Sequence, residues 1–177
     1  IASVNSNTFA YFIGLKPKLT VKVGDKVQAG SSLFFDKENP DVIIASPVSG
    51  EISEICRGEK RKILSVVVKA DAEISYKEFS KAKAKDVTRA QIIEQMLASG
   101  LWPFVRQRPF AVIANPADMP KAVFISAFDS APLTCDSDFV LHGMEEEFQA
   151  GLDIVTKLTD GKTHLNLDGN SNSSSVF

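Results

Sequence analysis

Two architectures in succession are predicted from this sequence: a small all-β sandwich or barrel, then the opening of an α/β domain with a parallel sheet. Three observations carry the prediction. Turn residues punctuate short apolar runs at intervals of about 8 to 12 residues as far as Val68. A polar, lysine-rich stretch from Lys77 to Asp86 breaks that pattern. Beyond it the apolar spacing turns helical, and strand, helix and strand follow in the order of a right-handed βαβ unit. At 177 residues the chain has room for one domain of ~150 residues or two units of roughly 70 to 100.

In the β-rich part, Leu19, Val21 and Val23 alternate with Thr20 and Lys22, the period of a half-buried strand, before Gly24 and Asp25 supply turn chemistry. The arrangement repeats. Gly30 and Ser31 precede Leu33 to Phe35, Asn39 and Pro40 precede Val42 to Ile44, Gly50 precedes Ile52 and Ile55, and Gly58 precedes Ile63 to Val68. After the lysine-rich stretch, Thr88 with Gln91 predicts a capping box, Ile92, Ile93, Met96 and Leu97 give one apolar helix face, and Gly100 ends the helix. The continuous apolar run Ala122 to Phe128 predicts a strand covered on both faces. Phe148, Leu152, Val155 and Leu158 predict a helix ending near Gly161, and Thr163 to Leu167 a second strand. Residues 1–76 are therefore expected to form the β-rich domain, 77–86 a linker, 87–167 a partial α/β domain and 168–177 a flexible tail. The tail, Gly169 to Ser175, is Asn, Ser and Gly only, and the sequon at Asn172 falls inside it. With Ile1 in place of an initiator Met, the chain reads as a piece of a longer protein whose further sheet strands lie outside it.

Composition excludes several function classes. Hydrophobic residues make up 44% and charged residues 24%, the balance of a globular protein, and no apolar run approaches the ~18 residues of a membrane-spanning helix. The formal net charge of -2 offers no broad positive field, so nucleic acid is not an expected partner. Cys56 and Cys135 form neither a disulfide framework nor a paired ligand motif, which points to a reducing compartment. His142 and His164 lack metal-site spacing, no Gly-rich phosphate loop opens a helix, and no nucleophile-base constellation is legible. No metal site and no catalytic residue is expected. On residues alone the chain reads as a binding or scaffold subunit.

Three segments remain as candidates. Gly24 to Gly30 and Pro47 to Gly50 are two turn-centred half-motifs that resemble the biotinyl/lipoyl hammerhead, the barrel-sandwich fold of swinging-arm carriers. Asp36 and Lys37 stand roughly where that fold carries its modified lysine, though Phe34 and Phe35 replace the residues expected before them. The run Arg57, Gly58, Glu59, Lys60, Arg61, Lys62 sets four cations on a turn, either a solvated face or a contact for an acidic partner or lipid headgroups. Between Leu101 and Phe110, Trp102, Phe104, Arg106, Arg108 and Phe110 crowd together around Pro103 and Pro109. Rings stack on a planar ligand while guanidinium groups donate to its carbonyls, so the segment suits either such a ligand or packing between domains.

Taken together, several strings in order resemble the NqrA family, the A subunits of the sodium-translocating NADH:quinone oxidoreductases. They are Gly14 to Lys18, Val23 to Asp25, Leu33 to Lys37 with Asn39 and Pro40, Ser46 to Gly50, Arg57 and Gly58 with Lys60 and Arg61, and Leu64 to Val67. They continue through Ser99 to Trp102 with Arg106, Arg108, Pro109 and Phe110, then Asp129, Pro132 and Leu133, and Leu158 to Lys162. The resemblance implies a barrel-sandwich domain followed by the start of a Rossmann-like, nucleotide-binding-type α/β domain. It also implies a peripheral subunit on the cytoplasmic side of the bacterial inner membrane. The complex oxidises NADH, reduces ubiquinone and exports sodium. Its flavins and iron-sulfur cluster sit in other subunits, the membrane-embedded B subunit is a partner, and an isolated fragment has no turnover.

The related C subunit of the Rnf complex shares the Gly-Asp-Lys-Val and Ser-Pro-Val-Ser-Gly elements, as the flavoprotein subunit of complex I does at fold level. Both relatives carry a glycine-rich loop that admits FMN and NADH phosphates. Here the corresponding stretch is Leu101 to Phe110, whose bulky side chains fill that space, so no cofactor is expected on this chain. An Rnf-like flavin subunit and a lipoyl or biotin carrier remain the alternatives. With the resemblance supplying a quinone, the rings and guanidinium groups of Trp102, Phe104, Arg106, Arg108 and Phe110, with Phe12 beside the Gly14 turn, are expected to border its head-group or path, and the cations Arg57, Lys60, Arg61 and Lys62 to serve subunit or membrane contact.

Overall fold

The computed structural model describes residues 2–5, 12–80 and 84–169, with residues 2–5 and Arg61 described by backbone alone. The predicted tail beyond Gly169, with the Asn172 sequon, and the centre of the predicted linker lie outside the described residues. The N-terminal strands are Ala2–Asn5 (β1), Pro17–Leu19 (β2), Lys26–Val27 (β3), Ser32–Asp36 (β4), Ile43–Ala45 (β5), Gly50–Arg57 (β6) and Ile63–Ala70 (β7). They form two antiparallel sheets, ordered β1-β7-β6-β3 and β2-β4-β5. The long β6–β7 hairpin sets Ile52 opposite Val68 and Ile55 opposite Val66. Ile52, Val66 and Val68 meet Leu33 and Phe34 of β4 and Ile44 of β5 in one core. Full burial of each such side chain stabilises by ~1.5 to 3 kcal/mol.

The turn-strand repeat is thus realised with one correction. Val21 and Val23 do not extend β2, which ends at Leu19. A turn takes their neighbours' backbone groups instead: Asp25 Oδ2 accepts from the Lys22 amide at 2.7 Å, and the Asp25 amide donates back to the Lys22 carbonyl at 3.2 Å. Val21 still packs against the core from this turn, while Val23 is exposed, so the alternation reports burial without a strand.

Beyond β7 the chain stays tied to the barrel. The Ala29 amide donates to the Ser75 carbonyl at 3.0 Å and the Lys77 amide to the Ala29 carbonyl at 2.8 Å. Thr88 and Gln91 then form the predicted reciprocal cap, with the Thr88 amide donating to Gln91 Oε1 at 2.9 Å and the Gln91 amide to Thr88 Oγ1 at 3.4 Å. Helix Arg89–Ser99 (α1) ends at Gly100, whose φ of +75 suits a residue without a Cβ. The Leu101 amide donates to the Met96 carbonyl at 2.9 Å and the Gly100 amide to the Leu97 carbonyl at 3.2 Å, the two bonds of a Schellman motif.

Further on come short strands Arg106–Gln107 (β8) and Val112–Ile113 (β9), then Ala122–Ser126 (β10), helices Ser137–Leu141 (α2) and Glu145–Thr156 (α3), and Lys162–Asn166 (β11). β10 and β11 pair in parallel from Ala122 opposite Lys162 to Ser126 opposite Asn166, the predicted strand-helix-strand order with an additional short helix, α2. The expectation that β10 is covered on both faces is corrected: Phe124 is 66% exposed and stacks on His164 with centroids 4.8 Å apart. Among the described residues two strands make this sheet, and α3 supplies contacts to β11.

The chain divides into two compact units that differ from the predicted linear split. One holds the residues through Ser80 plus Ile93–Pro116, and the other holds Lys81–Ile92 and the residues from Ala117 onward. The physical reason on the first side is the Gly100 turn, where a Cβ would lie 2.9 Å from the Ala45 side chain, so the helix end abuts β5.

Gly50 shows how tightly the main sheet is built. A Cβ there would collide with the Lys69 carbonyl oxygen, whereas one on Gly24, also at positive φ, meets nothing within 4 Å. Gly50→Ala is expected to lose clearly more stability than Gly24→Ala in chemical denaturation, the latter costing only the ~1 kcal/mol of a strained backbone. Equal losses would show that the approach to Lys69 relaxes freely.

Candidate functional site

The segment from Leu101 to Ala114 is the aromatic and arginine-rich stretch singled out above. Pro103 sits in the first turn of a 3-10 helix, Trp102–Phe104, and both Trp102 and Pro103 are buried. The Trp102 indole Nε1–H donates to the Ala114 carbonyl at 2.8 Å, and the Ala114 amide donates to the Val105 carbonyl at 2.9 Å. These bonds close the base of the β8–β9 hairpin, in which Arg106 faces Ile113 and Gln107 faces Val112. Ile113 packs against the barrel core. Arg108 and Phe110 therefore fall in the loop at the hairpin's far end.

The predicted site residues separate into two groups. Trp102 at 4% exposure and Phe12 at 5% are packing residues, with Phe12 part of the barrel core. Phe104 at 69% and Phe110 at 75% are exposed, as are Arg106 and Arg108. Phe12 meets the Phe104 ring edge-on, centroids 5.7 Å apart, so the buried ring braces the exposed one. Phe12 against Phe104 and Ile113 against the core thus anchor this segment within the barrel's own unit.

The cationic run occupies the β6–β7 turn. The Gly58 amide donates to the Lys62 carbonyl at 2.8 Å and the Lys62 amide to the Glu59 carbonyl at 3.1 Å, with Lys60 at φ 54. Arg57, Lys60 and Lys62 are exposed, and the side chain of Arg61 lies outside the described residues. Lys37, the carrier-lysine alternative, is exposed just after β4. Its amide donates to the Lys16 carbonyl at 2.9 Å, while the buried Asp36 accepts from the Lys16 and Glu38 amides at 3.1 and 3.3 Å. Among the described residues no group of three or more His, Cys, Asp or Glu could hold a metal ion, and no helix is long and apolar enough to cross a membrane.

Sequence reasoning missed one feature. An apolar groove of about 390 Å³ lies in the second unit, lined by Ile125 of β10, Leu141 and residues of α3. The spacing Met144, Phe148, Leu152 and Val155 could have marked it, because it extends the predicted helix stripe by one turn at the N-terminal end.

An antiparallel barrel-sandwich unit followed by an α/β unit with a parallel strand pair defines the class: a two-domain chain that joins a hammerhead-type module to an α/β module. Residues 3–71 match the NqrA N-terminal barrel-sandwich hybrid domain and residues 87–176 the NqrA second alpha/beta domain, and the chain belongs to the NqrA family. Proteins named as the A subunit of Na(+)-translocating NADH-quinone reductase are similar to it. One from Yersinia pestis bv. Antiqua is 40% identical over 156 residues, one from Photorhabdus laumondii 36% over 156 and one from Histophilus somni 34% over 163. These alignments cover 87%, 87% and 91% of this chain but 35%, 35% and 36% of the relatives, so the chain spans about a third of their length.

The two groups of rings make opposite forecasts for stability. Trp102→Ala removes a buried anchor and its hydrogen bond and is expected to cost about 3 to 5 kcal/mol. Phe110→Ala should stay within ~0.5 kcal/mol, as exposed substitutions do. Thermal or urea unfolding of both variants checks the assignment, and comparable losses would contradict it.

Proposed function

We infer that this chain is the N-terminal part of the A subunit of a sodium-translocating NADH:quinone reductase and contributes to quinone binding through the β8–β9 hairpin. The observation that carries the reading is the pairing of family membership with the exposed Phe104 at the end of the 3-10 helix and the exposed Arg106, Arg108 and Phe110 of the hairpin that follows it. A quinone head is flat, apolar on its faces and rimmed by carbonyls. Phe104 and Phe110 supply stacking surface, and Arg106 and Arg108 supply donors to those carbonyls. Trp102 and Phe12 act behind them as positioning residues, since both are buried. Phe12 packs against Phe104, and Trp102 closes the hairpin's base.

In this reading the chain carries no flavin. Support comes from Trp102 and Pro103, which are buried in the stretch the resemblance aligns with a phosphate-binding glycine loop. Proline lacks an amide to donate, and the indole occupies volume that a phosphate would need. The chain sits at the cytoplasmic face of the membrane complex beside its B subunit. Arg57, Lys60, Arg61 and Lys62 belong to its contact surface.

Steady-state kinetics of the assembled complex test the quinone role. Arg106→Ala or Arg108→Ala should raise the quinone KM by about ten-fold, the worth of one charge-assisted hydrogen bond at ~1.5 kcal/mol, with the NADH KM unchanged. Unchanged quinone KM and inhibitor sensitivity in both variants, with assembly verified, would return the hairpin to a structural role. The desalted 177-residue chain is expected to be colourless, and retained flavin absorbance would favour the Rnf-like alternative.

A further inference from the structure

Among the described residues, Lys60, Ala111 and Leu133 are the non-glycine residues at positive φ, and of these Ala111 lies in the segment proposed to meet a quinone. Its φ is 54, a left-handed backbone that Gly adopts freely, Asn tolerates and a β-branched residue avoids. Alanine has neither glycine's freedom nor the short polar side chain with which Asn bonds its own backbone. It stays in such a conformation only where its surroundings fix it. Here both ends of the loop are fixed. Gln107 pairs with Val112 and Arg106 with Ile113, so the residues from Arg108 to Ala111 must reverse the chain between them. Ile113 packs on the barrel core, and the Ala114 carbonyl and amide are bonded to Trp102 and Val105.

The proposed contact residues differ in what holds them. Phe104 is braced edge-on by Phe12, and Arg106 stands in the ladder. Arg108 and Phe110 stand beyond the ladder and are exposed, whereas Ala111 beside them is half-buried. We propose that Ala111 is a positioning residue, whose left-handed backbone returns the loop into β9 and thereby sets where Arg108 and Phe110 meet the quinone head. The inference rests on the quinone reading above and adds to it the residue that fixes the loop's course. The methyl group itself takes no part. With β9 held by the core, a change of φ at Ala111 swings the residues before it, and so moves Arg108 and Phe110 away from the anchored Phe104 and Arg106. Apparent affinity then falls with the fraction of molecules whose loop keeps the left-handed turn.

Steady-state kinetics of the assembled complex test the proposal with Ala111→Thr, Ala111→Asn, Ala111→Gly and Arg108→Ala. Thr and Asn are close in size and both polar, but Thr is β-branched while Asn tolerates positive φ. Ala111→Thr should raise the quinone KM about five-fold or more with the NADH KM unchanged. Ala111→Asn and Ala111→Gly should stay within about two-fold of the original, although their side chains share nothing but tolerance of this backbone. A quinone KM raised as much by Asn as by Thr, or raised by Gly, overturns the proposal, because the side chain and not the backbone would then matter. An unchanged quinone KM in Ala111→Thr overturns it too, whatever happens to the melting temperature. Should the Thr variant not assemble, Ala111→Leu replaces it, since bulky residues also avoid positive φ. Failure of both to assemble beside a normal Asn variant overturns the proposal in favour of a role in folding. Arg108→Ala separates this inference from the reading beneath it. A raised quinone KM there with none in Ala111→Thr leaves the quinone reading standing and overturns this inference, whereas an unchanged KM in both overturns the two together.

Discussion

The indole N–H of Trp102, donating to the Ala114 carbonyl at 2.8 Å, is the constraint on which the proposed quinone contact depends. A polar N–H taken out of water must find an acceptor, and this one finds it across the base of a two-stranded hairpin. The bond therefore does two things at once. It satisfies the only polar atom of a side chain that is otherwise apolar, and it fixes where β8 begins and β9 ends. Phe104, Arg106, Arg108 and Phe110 follow from that base and turn to solvent, held by a core they do not themselves enter.

Upstream, the Gly100 turn delivers the chain to Trp102. A residue with a Cβ is doubly disfavoured there, by φ of +75 and by the 2.9 Å approach to Ala45, so the end of α1 lies against β5. The same helix begins in the other unit, where the Arg89 guanidinium donates to the Asp118 and Leu158 carbonyls at 2.8 and 3.2 Å. Nearby, the Lys157 ammonium donates to the carbonyls of Ala84, Lys85 and Val87 at 2.7 to 3.0 Å. Lys157 thus satisfies the backbone carbonyls of Ala84, Lys85 and Val87 ahead of the helix, and Arg89 those of Asp118 and Leu158. Membership in the NqrA family accounts for the order of the two units, and the chain corresponds to about a third of its relatives.

Much of this architecture was legible in the sequence where local chemistry decides it. Thr88 and Gln91 cap α1 and Gly100 ends it because their hydrogen bonds are made within a few residues. β4 to β7 follow their turn signals because each carries apolar residues that reach one core. Where tertiary context decides, residue type was not enough. Val21 and Val23 have strand spacing, yet Asp25 captures the Lys22 amide and makes a turn. Phe124 reads as core, yet it lies open beside His164 on a two-stranded sheet. Within the candidate site, aromatic and arginine composition marked the segment but gave no direction, so it could not separate buried Trp102 and Phe12 from exposed Phe104 and Phe110. The α3 groove was marked only by the spacing Met144, Phe148, Leu152 and Val155, and Gly151, which interrupts that face, carries no periodic signal of its own.

Photo-crosslinking of a quinone analogue to the assembled complex, with the labelled peptide identified by mass spectrometry, tests the proposed quinone contact most directly. Label is expected on the peptide that spans Phe104 to Phe110, competed away by excess quinone. Competable label found only on other peptides, with none between Phe104 and Phe110, would contradict it.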